Sequence, residues 1–191
     1  MYQNLQYGDP ARGLRFSVML SAVIGLTRIK KLRAKRLETK PELESRQGAL
    51  FAYGRMLLES NSSMMLATVS KQDDPADIVL RTGSSDAFIY EPVQLKELTP
   101  SDVDPTQTIA GIVDAACLKY PSERGLSLAI NLNRDCLTKL GQLAQPRCNN
   151  LHFWFFGICD RNTGFLVKDP FGEATVFEFS LPRLPGSLTQ L

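Results

Sequence analysis

Asp74-Pro75-Ala76-Asp77-Ile78-Val79-Leu80, then Gly83-Ser84-Ser85-Asp86, then Ala87-Phe88-Ile89-Tyr90-Glu91-Pro92-Val93-Gln94-Leu95-Lys96-Glu97-Leu98 decide how this chain is read. Both arms are rich in β-branched and aromatic residues, and Gly-Ser-Ser-Asp between them is hairpin-loop chemistry. Side chains alternate faces along a strand, so Gln94 and Lys96 share one face while Glu91, Val93 and Leu95 share the other. A carboxylate from Asp77 on the first arm would meet an amide and an ammonium on one sheet face. Three polar groups where a buried hairpin should be apolar form a plausible seat for a divalent cation and a polarised water. Pro92 argues for a sheet edge or a bulge in the second arm. A bulge would shift the alternation and bring Glu91 onto the Gln94 face.

The surrounding composition is that of an ordinary soluble globular chain: 191 residues, 43% hydrophobic and 22% charged, enough for one domain with a real core. A net charge of +2 says little, but its distribution says more. Arg28, Lys30, Lys31, Arg33, Lys35 and Arg36 crowd six positive charges into nine residues and leave the remainder net negative. Such a segment suits either a solvated helix face or contact with an anionic partner at one place. Cys117, Cys136, Cys148 and Cys159 include no CxxC pair, and His152 is the one histidine. Structural zinc and a small disulfide scaffold are both disfavoured, and the expectation is reduced, partly buried thiols in a cytoplasmic protein.

The apolar run at 14–26 is too short to span a membrane, is interrupted by Arg15 and lacks a small-residue cleavage site. With the basic stretch behind it, 14–37 reads as an amphipathic helix. A second helix is expected over 44–59, with Ala49, Leu50, Tyr53, Met56 and Leu57 inward and Glu59 at its end. A short strand over 64–69 leads into the hairpin. Thr99-Pro100-Ser101-Asp102 and Asp104-Pro105 are helix-start signals, and Ile109, Ile112, Val113, Ala116 and Cys117 form the apolar stripe of a helix ending near Lys119. A strand over 126–132, a helix over 134–145 and strands over 151–158, 164–168 and 175–179 complete the reading. The aromatic strand from His152 to Phe156 is too uniformly apolar for a solvent-facing stacking platform and is expected in the core. The chain divides into an arm at 1–43, a domain at 44–181 and a loose tail at 182–191.

Helix, three strands, helix, strand, with Asp77 at the start of the second strand and Gln94-x-Lys96 on the third, resembles the αβββαβ core of the PD-(D/E)XK nuclease superfamily. The glutamine form is most similar to Mrr-type restriction endonucleases. The resemblance covers about residues 44–160. It implies an α/β (α+β) fold with a central mixed sheet flanked by helices, extended here by an N-terminal basic helix and extra C-terminal strands. It further implies a metal-dependent endonuclease acting on DNA or RNA, with Mg2+ or Mn2+ held by Asp77, Gln94 and a glutamate from the first helix, for which Glu59 stands in place. Lys96 would orient the attacking water or stabilise developing charge, and the 28–36 segment would contact phosphates without reading sequence. Gln94 departs from the usual acidic ligand, and hard Mg2+ prefers carboxylates and water. Many such enzymes cut as dimers, so a homodimer is compatible with the resemblance.

Two other readings stand beside it. The same fold without catalysis would serve as a nucleic-acid-binding or protein-interaction module. A cysteine nucleophile at Cys148 or Cys136 with His152 as base would need a third orienting group, and no family-like flank surrounds either cysteine.

Overall fold

A seven-stranded mixed sheet organises the chain, in a computed structural model that describes residues 2–15, 40–69, 74–84, 86–134, 143–160 and 162–182. The elements are α1 (Lys40–Leu58), β1 (Met65–Thr68), β2 (Ile78–Ser84), β3 (Ala87–Leu98), α2 (Ile109–Lys119), β4 (Leu126–Leu132), β5 (Leu151–Ile158), β6 (Thr163–Lys168) and β7 (Thr175–Ser180). The strands lie in sequence order across the sheet. β1, β2 and β3 are antiparallel neighbours, β3, β4 and β5 run parallel, and β6 and β7 return antiparallel. The protein is therefore a mixed α+β fold. The basic segment 28–36, most of the helix expected over 134–145 and the end of the tail lie outside the described residues.

Alternation along each strand feeds two cores. Phe51 of α1 joins Val93, Leu95, Ala129, Trp154 and Phe156 on one face of the sheet. Ile112 and Ala116 of α2 join Leu98, Leu128, Ile130, Phe153 and Phe155 on the other. β4 is paired in parallel on both sides and covered on both faces, which is why Leu126–Leu132 reads as a near-continuous apolar run. The aromatic residues Phe153 to Phe156 are buried as expected.

α1 is buried without a break from Gln47 to Ala52, because its outer side meets a short helical stretch at 10–15 whose Leu14 belongs to the same core. Leu57, expected inward, is exposed, and in that last turn Arg55 is the residue turned in. Gly54 lets the helix lie close to the sheet: a Cβ there would sit 2.7 Å from the Phe179 ring. Gly8 bridges Leu66 through two backbone hydrogen bonds of 2.7 and 2.9 Å and covers the outer edge of β1. α2 starts at Thr108, whose hydroxyl accepts from the Gly111 N–H at 3.0 Å, and buries the stripe expected of it.

β3 contains no bulge. Its register against β2 runs unbroken through Val79↔Pro92 and Leu80↔Glu91, and pairing with β4 begins only at Val93↔Ser127. Pro92, which has no N–H to donate, lies in the half of β3 whose far side is a sheet edge. Glu91 consequently stays on the face opposite Gln94.

The cysteines depart from the expectation of reduced thiols. Cys117 and Cys148 form a disulfide across 31 positions, and Cys159 is free and exposed. Parallel pairing of Leu126 with Leu151 sets the entries to β4 and β5 side by side. The end of α2 and the segment leading into β5 therefore meet, a juxtaposition that spacing along the chain does not reveal.

Candidate functional site at the splay of β2 and β3

Asp77 is delivered by a short turn. The Asp74 carboxylate accepts from the Ala76 N–H at 3.0 Å and from the Tyr2 hydroxyl at 3.1 Å, which fixes the bend through Pro75. Asp77 stands one residue before β2, its N–H donating to the Val93 carbonyl at 2.9 Å. Beyond this pair β2 and β3 part, and β2 no longer offers the Leu95 N–H a strand partner. The Asp77 carboxylate takes that place: Oδ2 accepts from Leu95 N at 2.8 Å and from the Gln94 amide nitrogen. A buried N–H left unpaired would be costly, so the geometry is held from the backbone side as well.

Gln94 is buried, at 5% exposure, and both ends of its amide are engaged. Nε2 donates to Asp77 Oδ2 and lies 3.4 Å from the Leu95 carbonyl oxygen, while Oε1 accepts from the Tyr120 hydroxyl. Tyr120 is the residue that sequence reasoning missed. It follows Ile109, Ile112, Val113, Ala116 and Cys117 at helical spacing, so extending the stripe by one turn would have found it.

Lys96 projects from the same face, two residues beyond Gln94. It lines a cavity of about 430 Å³ with Gln107, Thr108, Gly111, Lys119 and Tyr120. The loop that brings Gln107 to that cavity is held by hydrogen bonds. The Arg134 guanidinium donates to the backbone carbonyls of Thr99, Asp104 and Gln107, and the Gln107 side chain accepts from the Thr99 N–H at 2.7 Å.

Glu59 is placed differently. Its carboxylate receives the Arg55 Nε–H at 2.6 Å, which ties it to α1 rather than to Asp77 or Gln94. Arg55 also makes a two-pronged contact with Glu91 at 2.9 and 3.0 Å, and Ser127 donates to the same carboxylate at 2.5 Å. The guanidinium lies 4.1 Å from the centre of the Trp154 ring. Burial pushes the Glu91 carboxyl up, but the hydrogen bonds and charge of Arg55 more than offset this and leave it below the usual carboxylate range. Asp77, Gln94 and Lys96 thus share the α2 face, whereas Glu91 with Arg55 lies on the α1 face.

The donor set at the splay is one carboxylate, one backbone carbonyl and one amide. Asp77 Oδ2 and Leu95 O both approach the Gln94 amide nitrogen, an electropositive donor. Turning the amide by half a rotation would present its oxygen at the same point. Among the described residues no group of three or more His, Cys, Asp or Glu side chains is gathered for a metal. Cys148, engaged with Cys117, offers no thiolate to His152, which removes one of the two candidate nucleophiles; Cys136 lies outside the described residues. No protein-family model, curated protein or solved structure gives a significant match to this chain. Among the described residues no helix is long and apolar enough to cross a membrane.

Proposed function

We propose that this chain is a metal-dependent phosphodiesterase of the PD-(D/E)XK nuclease type acting on DNA or RNA, with Asp77, Gln94 and Lys96 as its working groups. The observation that carries the reading is the convergence of Asp77 and Gln94 where β2 leaves β3, with Lys96 next on the same face. The order α1, β1 to β3, α2, β4 supports it, since it agrees with the αβββαβ order of that superfamily.

The donors suit Mg2+ or Mn2+: carboxylate, carbonyl and amide oxygens are hard ligands, and such ions commonly complete their shell with water and substrate phosphate. A bound cation would supply a water of lowered pKa and neutralise phosphate charge. Asp77 anchors the site through a loop already fixed by Asp74. Gln94 offers its oxygen by rotation of the amide. Lys96 brings a compact positive charge to the cavity where developing negative charge would lie. Phosphate contact by residues 28–36, and pairing of two copies, belong to the same reading. So does action in the cytoplasm, on the condition that Cys117 and Cys148 keep or lose their bond in a reducing compartment without loss of the fold.

A second reading, a nuclease-like fold kept as a nucleic-acid-binding or interaction module, is favoured by one observation: Glu59, the expected second carboxylate, is committed to Arg55. Incubating the full chain with DNA and with RNA, in Mg2+ and in Mn2+, separates the two. Cleavage abolished by Asp77→Ala and by Lys96→Ala is the expected result. Retained affinity without cleavage in either metal would transfer the conclusion to the binding module.

A further inference from the structure

We propose that Tyr120 is a positioning residue for the Asp77–Gln94 pair, and that the Cys117–Cys148 disulfide holds Tyr120 in place, so that the pair answers to a dithiol reductant. Tyr120 and Gln94 are each 5% exposed, and the Tyr120 hydroxyl donates to Gln94 Oε1. Without that donor, the amide oxygen would be buried and unpaired, and the amide would have to turn or admit water. A phenol both donates and accepts, so Tyr120 serves the amide in either orientation: oxygen towards the phenol with the nitrogen on Asp77, as here, or nitrogen towards the phenol when the oxygen faces Asp77. Ile109, Ile112, Val113 and Ala116 can do neither, and Cys117 is engaged in its disulfide.

Tyr120 stands where α2 ends, and its surroundings show what holds it there. Its carbonyl accepts from Asn150 Nδ2 at 2.8 Å, and the same amide nitrogen donates to the Glu123 carbonyl at 2.8 Å. Cys117, one turn earlier, is bonded to Cys148, two residues before Asn150. The segment 148–150 therefore grips the last turn of α2 at two points, one covalent and one a partly exposed hydrogen bond. Ile109, Ile112, Val113 and Ala116 keep the body of α2 on the sheet, and Cys117 and Tyr120 pack in the same core, so opening the disulfide would loosen the last turn, leaving it to that packing and to Asn150, without freeing the helix. Cys148 is the more accessible partner. A dithiol thiolate attacks its sulfur and displaces the Cys117 thiolate; the second thiol then closes the reagent into its own disulfide, and two electrons and two protons end on the two protein thiols. The consequence for cleavage rests on the nuclease reading, whereas the consequence for the amide does not.

The test is made on the full chain by NMR, with the Gln94 side-chain amide identified by its loss in Gln94→Glu. On reduction with dithiothreitol, and in oxidised Tyr120→Phe, its hydrogens should shift and exchange with solvent about tenfold faster, because an amide that loses the Tyr120 bond at Oε1 turns or admits water and no longer holds its Nε2 hydrogens on Asp77. Backbone amides of β4 should keep their protection. Cys117→Ser with Cys148→Ser should match the reduced protein and ignore dithiothreitol. An unmoved Gln94 amide on reduction with β4 protected would overturn the proposal. So would loss of β4 protection, which would make the disulfide a staple of the whole domain, and an unchanged amide in Tyr120→Phe. Absence of metal-dependent cleavage by the oxidised protein would sink the nuclease reading alone and leave the amide measurement to decide this one.

Discussion

Arg55 divides its donors between two carboxylates and lays its flat face on an indole ring, at 8% side-chain exposure. Buried charge of this kind is tolerated only when fully partnered. Arg55→Met should leave the half-buried Glu91 carboxylate, 27% exposed and still hydrogen-bonded by Ser127, without its counter-ion and cost about 1–3 kcal/mol at neutral pH. The pH dependence has a definite sign. Glu91 titrates below its ordinary value of 4.5 in the folded protein, so its contribution is complete above that value and is lost as pH falls through the depressed folded value. In Arg55→Met the unpaired carboxylate is relieved by protonation, so the gap between the two proteins should narrow as the solution is acidified. Urea unfolding across a pH series measures this; a gap that widens in acid would contradict the assignment of Glu91 as the charged partner. At the same scale, Gln94 is legible as a polar residue on an apolar strand, but its partners are not. An alternating pattern reveals which face a side chain takes and is silent about what stands across from it.

The β2–β3 hairpin is the most legible element, since turn chemistry and β-rich arms lie within one local stretch. Its tip depends on Gly83, at φ +99°, where an added Cβ would run into the Ala87 carbonyl oxygen. Gly83→Ala should lower the melting temperature, with a cost of about 1–3 kcal/mol for backbone held in a disfavoured region, while Ser84→Ala, at an exposed position, should fall within about 0.5 kcal/mol of the wild type. Equal melting temperatures for the two variants would mean that the hairpin rearranges at no cost. The choice between edge and bulge at Pro92 is not legible. It is settled by where β4 starts to pair, and β4 lies more than thirty residues further along the chain. The stripe and C-terminal end of α2 are readable from its apolar periodicity, whereas its start is not at Asp104-Pro105, which forms a turn, but four residues on, at the Thr108 cap.

Across the whole molecule, the sheet keeps the Asp77–Gln94–Lys96 face apart from the Arg55–Glu91 face, and this separation decides which carboxylates can cooperate. If residues 28–36 bind phosphates, replacing Arg28, Lys30, Lys31, Arg33, Lys35 and Arg36 with glutamine should weaken binding alike for all nucleic-acid sequences. It should also flatten the dependence on salt by about 0.9 in log–log slope for each duplex phosphate that is no longer neutralised. Titrations at several salt concentrations read this directly; an unchanged slope would make the segment a solvated face.

What the sequence determined by itself was the inventory of elements, from α1 through β7, and the pair of residues most worth attention, because periodicity, caps and turns are written among neighbours. What only the tertiary structure decided was partnership: Asp77 with Gln94 across 17 positions, Tyr120 with Gln94 across 26, Cys117 with Cys148 across 31 and Arg55 with Glu91 across 36. Each of these joins segments brought together by strand pairing and a crossover helix. Side-chain alternation and helical spacing carry no record of which distant segment arrives. For that reason Glu59, expected beside Asp77, stands with Arg55 instead, and Tyr120, legible as the next member of the α2 stripe, gives no sign in the chain that Gln94 is its partner.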